Sequence, residues 1–170
     1  MASLFRHLVL ALLAASTLAS TLAAASPSPA YSDAAALQGV REGKGIFMIS
    51  LDQPKKIALY LQVIGGTYDN FRRQSVAPDL KVVFIGASVR HLTRSPAQEA
   101  SAEDRQAYAD IARQVEALKA KGVTLEVCAI ATALFGIDNA SLLAPLQVIN
   151  DGFISAIGYQ TQGYQLVPIY

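Results

Sequence analysis

The chain carries a single cysteine, Cys128, and two histidines, His7 and His91. A lone thiol can close no intramolecular disulfide and can build no zinc site of several thiolates. With so few ligating residues, no metal and no cofactor are expected. What a lone cysteine can do is attack. A thiolate is a competent nucleophile, and a helix N-terminus favours it through unpaired N–H groups and the positive end of the helix dipole, lowering a thiol pKa from about 8.5. Cys128 stands in such a place, between the strand-like Val123–Val127 and the helix-like Ala129–Phe135. In that reading the backbone N–H groups of Ala129 and Ile130 stabilise the anion. Its neighbours Val127, Ala129 and Ile130 are all apolar, and free cysteine is among the most buried residue types. A small hydrophobe sealed in the core is therefore the competing reading, and both stand at this point.

Other polar residues fall in comparable places. Asp52 follows the first apolar run, Ser88, Arg90 and His91 follow the second, and Asn150 with Asp151 follows the fourth. In open parallel sheets ligands bind beyond the carboxyl ends of the strands, so these residues are expected to line a pocket beside Cys128. His91 has the ring to act as a base or orient a ligand, although a lone loop histidine is more often solvated. Arg90 and Arg94 have the charge to hold an anion, although exposed arginines are usually plain surface. Asn150-Asp151 reads as a binding loop or, more simply, as the N-cap of the helix after it. Several chemistries drop out. Neither G-x-G-x-x-G nor a P-loop is present, Gly43-Lys44-Gly45 matches neither, and no G-x-S-x-G elbow supports a serine hydrolase. Asn139-Ala140-Ser141 is a glycosylation sequon, relevant only in a eukaryotic secretory pathway.

The elements that position these residues follow from hydrophobic spacing. Ile46–Ile49, Leu80–Ile85, Val123–Val127, Leu146–Ile149 and Tyr164–Ile169 read as five strands. Between the first two, Pro54 suits a first helical turn, and Ile57, Leu61, Ile64, Tyr68 and Phe71 recur at helical spacing. Gly65-Gly66 within that helix suggests a kink or a close backbone approach. Residues 88–98 read as a loop with at most one helical turn. Residues 103–121 make the clearest helix, with Tyr108, Ile111, Val115 and Leu118 on one face and Gly122 as its stop. Asp138 or Asn139 caps a short helix through Leu143, and Phe153–Gln162 supplies the last one. Apolar strands alternating with helices call for an α/β fold with a parallel sheet covered on both faces.

The 170 residues suit one domain. Apolar residues make up 52% and charged residues 16%, which excludes disorder over most of the chain. A net charge of +1 gives no basic field for a phosphate backbone, so no nucleic-acid partner is expected. Residues 1–25 have the parts of a secretory signal peptide: Arg6, the apolar run from Leu8 to Ala15, and Ala23-Ala24-Ala25 as a cleavage pattern. The alternative, an uncleaved anchor, rests on the 18 uncharged residues from Leu8 to Ala25, weakened by four Ser/Thr. Cleavage would remove one of the 14 basic residues and leave 13 against 13 acidic ones, a neutral chain without His7. A periplasmic or secreted protein with no membrane association after cleavage is expected. Residues 26–44 read as a Ser/Pro-rich linker and N-terminal extension, with a helical turn at Ala34–Val40, and residues 45–170 as the domain.

As a set, the ordered segments resemble the DsrE/DsrF-like family of small sulfur-relay proteins. The resemblance is carried by Lys81–Gly86, Leu118–Val123, Glu126-Val127-Cys128 with its helix, and above all Phe153–Gln160 leading to Gln162-Gly163-Tyr164. It implies a three-layer α/β/α fold and homo- or hetero-oligomers. It further implies a persulfide on Cys128, taken from a sulfur donor and passed to an acceptor protein.

Overall fold

A computed structural model describes residues 31–95 and 101–170. The signal segment, residues 26–30 of the linker and the end of the 88–98 loop lie outside the described residues. Asp33–Tyr170 forms one unit. Its strands are β1 (Glu42–Ile49), β2 (Ala77–Phe84), β3 (Thr124–Cys128), β4 (Gln147–Ile149) and β5 (Gln165–Ile169). Its helices are α1 (Pro54–Arg73), α2 (Ala102–Ala120), α3 (Ala129–Leu134) and α4 (Gly152–Thr161), with 3-10 turns at Gly86–His91 and Asn139–Ser141. The strands form a single sheet in the order β4-β3-β2-β1-β5, every neighbouring pair parallel.

Chain direction decides which face each helix covers. Crossovers between parallel strands are right-handed, so β1→β2→β3→β4, all stepping one way along the sheet, stack their helices on one face. α1 and α2 pack against each other there, and Ala131 of α3 joins the same core. The β4→β5 crossover runs back across the sheet and so carries α4 to the opposite face, where Tyr159 packs on Ile46, Val83 and Tyr164. The α/β architecture expected from the sequence is the one observed.

Local sequence accounts for the individual elements. On α1, Ile57, Leu61 and Ile64 are buried, while Tyr68 and Phe71 pack on the core as the spacing requires. The helix runs unbroken through Gly65-Gly66. A side chain at Gly65 would reach Leu118 Cδ2 at 3.9 Å, ordinary contact, and one at Gly66 would meet nothing, so neither glycine is sterically required. Ser101 caps α2 by accepting from Asp104 N at 3.0 Å, and α2 stops before Gly122 at φ +85°. Leu37 N donates to Asp33 O in the turn expected near Ala34–Val40.

β1 and β2 begin three to four residues before their apolar runs. Gly43 and Gly45 hide the start of β1: Phe71 lies so close that a Cβ on Gly43 would sit 2.8 Å from two of its ring carbons. Pro78 pairs inside β2 opposite Gly43. It is tolerated because β3 pairs with β2 only from Lys81 onward, leaving Pro78 at a local edge.

Candidate functional site

β3 explains the placement of Cys128. Its side chains alternate, with Leu125 and Val127 in the α1/α2 core and Glu126 facing α4. Cys128 shares the Glu126 face but sits at the strand's last position, where α3 departs on one face while the next strand, β4, sends α4 to the other. Divergence of adjacent connections opens a crevice at the carboxyl ends of such strands. A pocket of about 210 Å³ occupies it, lined by Ile85, Gly86, Cys128, Ile130, Ala131, Leu134, Asp151 and Phe153. Cys128 is 6% exposed.

The donor to its sulfur differs from the expectation. Cys128 stands at the N-cap of α3, yet its side chain takes no capping hydrogen bond there, so Ala129 and Ile130 do not serve it. Gly152 N, the first residue of α4, donates to Sγ at 3.3 Å instead. Glycine is required for that approach. A Cβ on Gly152 would lie 2.6 Å from Ile85 Cγ2 and 3.3 Å from Cys128 Cβ. Asp151 is the α4 N-cap, its Oδ1 accepting from Phe153 N at 2.8 Å and Ile154 N at 3.4 Å. Around the mouth, Ile130, Leu134 and Phe153 are 55%, 77% and 63% exposed.

The other expected site residues are divided. Of them, only Asp151 lines the pocket with Cys128. Ser88 is fully buried, out of reach of a ligand, and its hydroxyl proton is shared between Ile49 O at 3.0 Å and Ile85 O at 2.7 Å, which ties the 3-10 turn to β1. Asn150 is exposed and is not among the lining residues. Arg90 and His91 gather around Asp52 instead. His91 Nε2 lies 3.0 Å from Asp52 Oδ1, its Nδ1 lies 3.3 Å from Tyr108 Oη, and Arg90 pairs with Asp52 at 3.3 Å. The Arg90 guanidinium also sits 5.4 Å from the Phe135 ring centre. Burial, then the charges of Asp104 and Asp52, push the Tyr108 hydroxyl above its usual range. Arg94 donates to the Ala140 carbonyl, so it braces a loop. Among the described residues, no group of three or more His, Cys, Asp or Glu stands close enough to hold a metal.

A buried polar network beneath α4 escaped the sequence reading. Glu126 accepts from Ser155 Oγ and from Tyr159 Oη, the latter at 2.7 Å. Burial and that bond to Glu126 drive the Tyr159 hydroxyl far up. Beside it, Tyr164 donates to Asp79, and Lys81 lies 2.8 Å from the same carboxylate. Burial raises Asp79, but the bonds from Lys81 and Tyr164 outweigh it and hold the carboxyl low. The visible signal was polarity at alternate positions: Asp79 and Lys81 in one strand, Thr124 and Glu126 in another. The network fixes α4, and hence Gly152, over the sheet.

The DsrE/DsrF-like family model matches residues 44–169. Solved structures with a similar fold include MTH1491, a protein of unknown function from Methanobacterium thermoautotrophicum. It is 19% identical, with 74% of this chain and 98% of that one covered and a TM-score of 0.57. The ychN protein from E. coli is 16% identical over 75% of this chain and 99% of its own, with a TM-score of 0.52. BT1422, a conserved protein of unknown function from Bacteroides thetaiotaomicron, is 16% identical over 76% and 95%, with a TM-score of 0.50. No curated protein matches the chain.

Proposed function

The chain belongs to the DsrE/DsrF-like family, and from that premise we propose that it is a sulfur carrier working through Cys128. The Cys128 thiolate attacks the outer sulfur of a donor persulfide, R–S–SH. The new S–S bond forms as the donor's S–S bond breaks, R–S⁻ leaves with the electron pair, and Cys128–S–SH remains. An acceptor thiolate then attacks that outer sulfur and returns Cys128 as thiolate, with no net oxidant or reductant. The observation that carries this reading is the pocket: the chain's one thiol lines a crevice at the strand ends and takes a backbone N–H from a helix start. Hydrogen bonds to an ionised acceptor are roughly twice as strong as those between neutral groups. Gly152 N–H is thus placed to donate to the sulfur of Cys128 as it reacts.

In this reading the protein is exported to the periplasm or secreted, which residues 1–25 support, and it assembles with copies of itself. Ile154 and Ile157 on the outer side of α4 are both largely exposed, which supports assembly. The test is sulfur transfer from an organic persulfide to an acceptor thiol. The wild-type protein accelerates it, and a Cys128→Ser variant that transfers as well as wild type sinks the proposal.

A second reading has its own observation, the near-complete burial of Cys128. It makes the protein a non-catalytic, homo-oligomeric module that binds a small ligand or a protein, with the thiol as packing. Thiol labelling separates the two. Labelling of the native protein supports the carrier, and labelling only in denaturant supports the binding module.

A further inference from the structure

The Cys128 pocket has one charged residue in its lining, Asp151, and no lysine, arginine or histidine. A helix N-terminus ordinarily attracts an anion. At α4 that capacity is already taken: the Asp151 carboxylate accepts from Phe153 N and Ile154 N, while Gly152 N donates to the sulfur. Arg90, a cation on the same sheet edge, is held by Asp52 and Phe135. An anionic ligand entering here would shed its water in an almost wholly apolar lining and meet no counter-charge, with the only charged lining residue, Asp151, of its own sign.

Resting on the carrier reading, we propose that this pocket selects its sulfur donor by charge and polarity. It admits the uncharged end of an organic persulfide whose carrier group is apolar, and it turns away anionic donors such as thiosulfate. Size agrees. At about 210 Å³ the pocket is smaller than the roughly 300–1,000 Å³ of sites that enclose a whole ligand. Only the reacting S–SH end enters, and the apolar group lies on Ile130, Leu134 and Phe153 outside. In the exchange, Cys128–SH and R–S–SH become Cys128–S–SH and R–SH: one S–S bond forms, one breaks, and the thiol's proton ends on the departing sulfur.

Iodoacetamide and iodoacetate, alike in reacting carbon and different in charge, test the charge rule on the purified protein by intact mass. Folding is expected to slow iodoacetate labelling of Cys128 at least about tenfold more than it slows iodoacetamide labelling, the unfolded protein being the reference. Asp151→Asn, which keeps a capping oxygen, narrows that gap several-fold. Benzyl persulfide loads the protein and thiosulfate does not. Equal slowing of the two reagents, an unchanged gap in Asp151→Asn, or loading by thiosulfate as fast as by benzyl persulfide overturns the selection rule and leaves the carrier reading standing. Failure of both reagents to label the native protein overturns the carrier reading, and this proposal with it.

Discussion

Gly152→Ala is the most informative small change, because two opposing effects can be sized from the structure. Alanine in a helix is favoured over glycine by up to about 1 kcal/mol. Gly158, in the same helix, isolates that gain, since a side chain there meets nothing within 4 Å. At Gly152 the added carbon lies 2.6 Å from Ile85 Cγ2, where carbon contacts settle near 3.5–4.0 Å. One of the two must move by about an ångström. Ile85 is β-branched and stiff at χ1, and the Cys128 and Val83 side chains close the other sides, so the strain falls on the start of α4. Overpacking of this kind costs about 1–3 kcal/mol. The net expectation is a loss of about 1–2 kcal/mol for Gly152→Ala and a gain of about 0.5–1 kcal/mol for Gly158→Ala. Urea unfolding reads both. With a slope near 2 kcal/mol/M, the first midpoint falls by about 0.5–1 M while the second rises. Displacing α4 also lengthens the Gly152 N–Sγ contact, so Cys128 reactivity changes in the first variant only. A Gly152→Ala midpoint at or above that of Gly158→Ala would refute the close docking of α4 on β2 and β3.

The network beneath α4 and the packing of α1 on α2 give three more expectations. Tyr159→Phe leaves the buried Glu126 carboxylate with Ser155 as its remaining side-chain donor and costs about 1–3 kcal/mol in urea unfolding, whereas an effect within 0.5 kcal/mol would place the Tyr159 hydroxyl elsewhere. Tyr159 is held protonated in the fold but ionises near pH 10 when unfolded, so its contribution is complete below about pH 10 and declines above it, by at most about 1.4 kcal/mol per pH unit. Tyr164 and Tyr108, both raised as well, add to the decline, so the alkaline slope is shallower in Tyr159→Phe but not zero. Leu118→Ala removes a fully buried side chain between α2 and α1 and lowers stability by about 2–5 kcal/mol, measured the same way, with less than 1 kcal/mol contradicting the packing.

Much of this architecture was written in side-chain periodicity. The 4-3-4-3 spacing from Ile57 to Phe71 and the run from Ile111 to Leu118 place α1 and α2 because their burial depends on one face each. The start of β1 was hidden because Gly43 and Gly45 leave no hydrophobic mark, although their lack of a side chain is what admits Phe71 and Leu80. Cys128 and Asp151 could be brought to one sheet edge by topology. The division of the remaining polar residues could not, because it depends on which way each turn faces: Ser88 inward to two carbonyls, Arg90 and His91 toward Asp52. The sulfur's hydrogen-bond partner lay 24 residues away, across a crossover that local sequence does not encode.

If the protein is a sulfur carrier, Cys128 holds a transferable sulfur in the folded state. Intact-mass measurement of the reduced, native protein after exposure to an apolar organic persulfide, beside Cys128→Ser, tests it most directly. The wild type alone is expected to gain one sulfur atom, and an acceptor thiol added afterwards removes it. A native wild-type protein that gains no sulfur, or a Cys128→Ser variant that gains as much, would contradict the carrier reading.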